Sequence, residues 1–138
     1  MELLLNIIES RDGGLLALRV GVGIIFLVHG RMKWAMWKME PSEQMPAQML
    51  SLMKFLSVVE PLGGAAVMAG FLTRVSAVGL GIIMVGAIVS KKKMLKVSFA
   101  EQERTGWELD FILLGACVAL LLSGGGGFAV DHVLFSVP

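Results

Sequence analysis

Four apolar stretches, each close to the length of helix that crosses a lipid bilayer, dominate this 138-residue chain. Spanning the hydrocarbon core takes about 20 helical residues, fewer where the bilayer thins locally. The first stretch runs from Gly14 to about Trp34 and the second from about Leu50 to Leu72. The third spans Val75 to about Met94, and the fourth Trp107 to Ser123. Only 17% of the residues are charged against 56% hydrophobic. A soluble domain carries about a quarter charged residues, so this chain has too little polar surface for a water-facing globule. The predicted fold class is all-α: a polytopic four-transmembrane-helix bundle forming one domain over residues 1–138.

The connections set the topology. Polar residues Lys38–Gln48, with Pro41 and Pro46, join the first pair of helices, and Lys91–Gly106 joins the last pair. Thr73 and Arg74 alone separate the second from the third, which demands a tight antiparallel turn. Gly124–Gly127 stops the last helix, because four glycines maximise the backbone entropy lost on continuing it. Leu3–Ile8 is too short to span and is expected at the interface. Met1–Ser10 holds Glu2 and Glu9 in place of a basic leader region, so no cleavable signal is expected. Arg31, Lys33, Lys38, Lys91, Lys92, Lys93, Lys96 and Arg104 sit on the side of the longer loops, with Arg11 and Arg74 on the other. The positive-inside rule then places the longer loops in the cytoplasm and both termini outside a plasma or inner membrane. Small residues at helix-packing spacing (Ala66 and Gly70, Ala77 and Gly81, Gly115 and Ala119) predict close helix contact.

Charges inside the spans are the functional signal. A central Arg or Asp costs about 2.5 to 3.5 kcal/mol on insertion scales, so such groups turn inward and find partners. Arg19, Phe26, His29 and Lys33 fall on one stripe of the first helix, roughly 80° wide, which predicts an inward polar seam. In the second helix Glu60 precedes Pro61, which frees the carbonyl of Ser57 and makes room for a water, an ion or a ligand. Gly63 and Gly64 would admit another helix or a flat ring. Trp107 fits an interfacial anchor, and Glu108 and Asp110 suit a helix N-terminus; Glu108 is equally suited to an inward basic partner. A packing-only alternative is a set of interhelical salt bridges, such as Arg19 with Glu60.

Other chemistry has no residues to carry it. The net charge of +1 argues against nucleic acid. Cys117, the single cysteine, excludes an intrachain disulfide and a cysteine-ligated iron–sulfur cluster. No P-loop, dinucleotide fingerprint or metal-ligand spacing is present, and a bis-histidine haem, which would need both His29 and His132, is not expected because His132 lies after the glycine stop. No metal and no covalent cofactor are expected.

These residues resemble the DoxX family of small four-helix membrane proteins over nearly the whole chain. The matching blocks are Arg19, Gly23, Phe26, Gly30 and Lys33; then Glu60, Gly63, Gly64, Gly70, Thr73, Arg74 and Ala77; then Gly106-Trp107-Glu108, a glycine-rich stop and Asp131. Many members have Gly-Pro-Gly and a Ser before the final Asp, where this chain has Gly125-Gly126-Gly127 and Ala129. Many also carry a His after the third helix, where Ser90 and Lys91–Lys93 stand here, so a role of that His is not expected in this protein. The resemblance implies membrane subunits of oxidoreductase complexes tied to sulfur-compound and quinone oxidation, thiol chemistry and oxidative stress.

The leading expectation is therefore a membrane subunit of a quinone-linked oxidoreductase. Arg19 or His29 would donate to a quinone carbonyl, Glu60 would carry protons and Glu108 would assist. Phe26, Lys33, Gly63, Gly64 and Trp107 would line the ligand. With no redox motif in the chain, electrons would come from a partner subunit or a bound reductant. A non-catalytic scaffold, alone or as a homo-oligomer, is the second expectation, with Lys91–Lys96 docking a cytoplasmic partner or anionic lipid. A transporter for protons or a small anion is the third.

Overall fold

The computed structural model describes residues 11–100 and 105–135; Leu3–Ile8 and Arg104 lie outside them. Helix α1 is Arg11–Met32 and runs into a 3₁₀ segment, Lys33–Lys38. Then follow α2 (Ala47–Ala69), α3 (Thr73–Lys93), α4 (Glu108–Ser123) and α5 (Val130–Phe135). No strand occurs among the described residues. A helix forms at each of the four expected positions, with ends shifted by at most three residues. Three helical segments are long and apolar enough to cross a membrane: Arg11–Lys38, Ala47–Ala69 and Thr73–Lys93. The fourth helix has 16 residues, or ~24 Å at 1.5 Å per residue.

Surface and interior are inverted relative to a water-soluble bundle. Leu122 is 73% exposed and Ile82 67%, whereas Arg19 is 0% exposed and Glu60 2%. That distribution suits a lipid surround, where apolar side chains need no cover and charges do. The shared core is built from Val22 and Phe26 of α1, Val67 of α2, Leu80 and Met84 of α3, and Leu113, Cys117 and Leu120 of α4.

Glycines set how closely the helices approach. A Cβ on Gly64 would lie 2.9 Å from the Gly23 carbonyl and from Phe26 Cβ, and one on Gly23 would lie 2.7 Å from Met68 Cβ. Gly30 receives the ring of Pro61, which a Cβ there would overrun. Gly63 faces the other way, 2.9 Å from Leu80 of α3 by the same measure. Lacking a hydrophobic drive in lipid, the helices gain dispersion contact by this close approach. Of the small residues expected at interfaces, Ala77 is buried and Gly81 meets Cys117, but Gly115 meets nothing within 4 Å. Spacing marks a face; it does not say which face a neighbour covers.

The α2–α3 turn is Gly70–Leu72, and Thr73 already begins α3. Gly70 adopts φ 72°, and its N–H and that of Phe71 donate to Val67 (3.0 Å) and Ala66 (2.8 Å). This satisfies the carbonyls that a helix end leaves open, at a position glycine fills without steric cost. Gly124, at φ 73°, ends α4 as expected. The short α5 then folds back, its Asp131 N–H donating to Gly70 O at 2.9 Å.

Candidate functional site

Polar side chains gather at the two ends of the bundle with an apolar layer between them. At the end bearing the longer loops, Lys33 forms a close ion pair with Glu60, the acid being almost wholly buried. Pro61 has no N–H to offer the carbonyl of Ser57 one turn back. Trp34 replaces it, its indole Nε1–H donating to Ser57 O at 3.1 Å. Trp37 donates to Ser57 Oγ at 2.9 Å, and that hydroxyl donates to Lys54 O at 2.6 Å. Lys54 in turn lies 5.9 Å from the centre of the Trp37 ring. The 3₁₀ segment is thus pinned across the proline of α2 by two tryptophans.

Those tryptophans wall a groove open at the surface. It has a volume of about 670 Å³ and is lined by Leu27, Trp34, Trp37, Ser57, Pro61 and Ala65, among others. Lys33 and Glu60 are the residues immediately preceding Trp34 and Pro61, and neither lines the groove itself.

A second pair closes the same end of the other helix hairpin. Lys91 reaches Asp110 at 2.6 Å and donates to Gly106 O at 3.1 Å. Lys92 lies over the Trp107 ring at 4.8 Å, and Trp107 meets Phe99 edge-on at 4.5 Å between centroids. Glu108 is half-buried and takes part only through its backbone, which donates to Phe99 O at 3.1 Å. The inward acid of this helix is Asp110, two residues later. A step of two positions turns about 200° around a helix, and the packing of α4 on α3 selects which acid faces in.

At the opposite end Arg19 is fully buried, its Nη1 donating to Met68 O at 3.4 Å. The expected Arg19–Glu60 pairing does not occur, because the register of the antiparallel α1–α2 pair puts the two residues at different levels. Gly30 stands opposite Pro61, so Arg19 lies roughly ten residues, or ~15 Å, from the level of Glu60. Asp131 is the acid that acts on Arg19 electrostatically. Nor is the inward stripe of α1 polar throughout: Val22 and Phe26 are buried within it. Phe26 is 0% exposed, and Gly63 and Gly64 are covered by Leu80 and by α1. His29 is half-buried and has no polar partner among the described residues. The ring slot expected between Arg19, Phe26 and Glu60 is occupied by helix packing.

Two tryptophans escaped the sequence reading as site residues. Their signal was Pro61: a carbonyl freed within lipid must find a donor, and Trp34 and Trp37 are the indoles next to the first span.

A family model described as DoxX matches residues 14–93. A Bacillus subtilis (strain 168) protein named "Putative oxidoreductase CatD" is 34% identical over 130 residues, covering 92% of this chain and 91% of that protein. No solved structure matches the chain.

Proposed function

The chain belongs to the DoxX family, and from that premise we propose that it is a membrane subunit of a quinone-linked oxidoreductase whose quinone lies in the loop-end groove. The observation that carries this reading is a lipid-side groove of about 670 Å³ walled by Trp34, Trp37 and Pro61 beside a buried Lys33–Glu60 pair. Ligand sites are mostly apolar clefts of about 300–1,000 Å³ with a few placed polar groups. A flat headgroup fits between the indoles, and an isoprenoid tail would extend along exposed Val58 and Leu62 into lipid. The name of the Bacillus subtilis relative supports the oxidoreductase half of the reading.

A bound quinone supplies a two-electron, two-proton acceptor. Trp34 and Trp37, whose N–H groups stay on Ser57, would hold its ring by stacking. Lys33 would hydrogen-bond the carbonyl nearest it and give up a proton as the quinone is reduced, and a proton taken up from water through Glu60 would then restore the ammonium. Electrons arrive from a partner subunit, since this chain has no motif for a redox centre. In this reading α4 is a fourth span. Lys91–Asp110 ties its start to the end of α3, and Gly125 packs on Thr73 at the other end, so α4 crosses the same thickness as α3. The longer loops, rich in lysine, face the cytoplasm of a plasma or inner membrane.

The test is purification from native membranes with lipid extraction, then quinone reduction by the recovered complex. Glu60→Gln should lower turnover at least tenfold, and Ala65→Trp should block the groove and expel the quinone without touching the ion pair. A purified protein without quinone, together with unchanged turnover in both variants, rejects the reading.

A scaffold subunit is the second reading, favoured by both ion pairs already being closed within the chain. It predicts that neutralising Lys92, Lys93 and Lys96 abolishes partner recovery while Glu60→Gln is silent. Transport is disfavoured by the buried layer of Val22, Phe26 and Val67 between the two polar ends.

A further inference from the structure

The end of the bundle away from the groove holds polar atoms that the proposed function leaves unused. Arg19 and Thr73 are both 0% exposed. The Arg19 Nε and Nη2 groups and the Thr73 hydroxyl have no hydrogen-bond partner within the described residues. Nε and Nη2 form one edge of the guanidinium, two parallel N–H donors suited to an oxygen acceptor. Arg19 and Thr73 flank one methyl group. A Cβ on Gly70 would run into Arg19 Nη1 and lie 2.5 Å from Ala129 Cβ. One on Gly125 would lie 2.5 Å from that same methyl and 2.7 Å from Thr73 Oγ1.

Asp131 supplies the counter-charge without a direct bond. It acts on Arg19 electrostatically, while Oδ1 accepts from the Leu72 N–H at 2.6 Å and Oδ2 from the Thr73 N–H at 2.8 Å. Asp131 offsets the Arg19 charge, so the buried donors do not require a further anion. What the donors need is a small neutral acceptor. A pocket of about 170 Å³ lies on the Thr73 and Asp131 side of this cluster, lined also by Gly125 and Ala129, with exposed Arg74 at its rim. One water occupies about 30 Å³ of liquid and needs two to four polar partners; volume and partners are both present here.

We propose that Arg19, Thr73 and Asp131 form a hydrated site, in which water entering from the terminus-bearing side completes the bonding of the guanidinium. Leaving that charged edge dry inside lipid would be strongly destabilising. The path is blind. Val22, Phe26 and Val67 close the α1–α2 seam beyond it, so water reaches Arg19 and goes no further. The site is independent of the quinone reading and stands or falls without it.

Thr73→Val distinguishes a hydrated hydroxyl from an orphaned one, since valine has the same shape and no polar atom. Removing an orphaned buried hydroxyl is neutral or stabilising, whereas removing one that holds a water leaves its partners unsatisfied. In the full chain in lipid nanodiscs, Thr73→Val should lower Tm by a few degrees, with Thr73→Ser close to the native value. A map that resolves waters should show one within about 3 Å of Arg19 Nε or Nη2. An unchanged or raised Tm for Thr73→Val overturns the proposal, and so does a map with the guanidinium edge directly on Asp131 and no water.

Discussion

Single residues in this protein are decided by what stands opposite them. Gly30, Gly63 and Gly79 all lie within helices, yet their neighbours differ in kind: the Pro61 ring, the end of the Leu80 side chain, and open space. A rigid ring carried by backbone cannot move aside as a leucine methyl can. Gly30→Ala should therefore destabilise by about 2–3 kcal/mol, as overpacking does. Gly63→Ala should cost under about 1 kcal/mol, because Leu80 can change rotamer, and Gly79→Ala should be neutral. Denaturation in detergent, read by helical circular dichroism, orders the three. Equal effects at Gly30 and Gly79 would contradict the contact of α1 with Pro61.

Among the elements, α2 depends most on a neighbour. Its proline removes a donor, and an indole from the 3₁₀ segment supplies one in its place. Trp34→Phe keeps the ring and removes the N–H, and should cost about 1–3 kcal/mol for the unsatisfied Ser57 carbonyl. Pro61→Ala restores a backbone N–H to that carbonyl. In the Pro61→Ala background Trp34→Phe should then lose most of its effect, a coupling that a double-mutant cycle reads directly. Strict additivity would mean that the indole does not serve this carbonyl. For a reader of the sequence, the need was visible at Pro61 and the provider was not, because the donor comes from another element.

The whole molecule places its charges at two levels, and the Lys33–Glu60 pair tests that arrangement. Breaking a buried pair leaves one uncompensated charge and costs about 3–5 kcal/mol, whereas replacing both partners with apolar residues can be neutral. Lys33→Met and Glu60→Met should each lower expression and Tm strongly, and the double variant should recover much of both. Failure of the double variant to recover would show that Glu60 has a second partner. Arg19→Met, ~15 Å away by helix register, should add independently to either single change.

Spans, their antiparallel order and the inward turn of Arg19 and Glu60 follow from sequence alone, because lipid penalises exposed charge and unpaired backbone so heavily that few arrangements survive. The DoxX resemblance was legible from the spacing of glycines and charges, and the family model matches residues 14–93. Pairing was another matter. Arg19 and Glu60 share an inward orientation but not a level, and only the register that Gly23 and Gly30 of α1 and Gly64 of α2 set between the two helices separates them. The choice of Asp110 over Glu108 depends likewise on packing, that of α4 on α3. Periodicity tells which way a side chain faces; only packing tells what it meets.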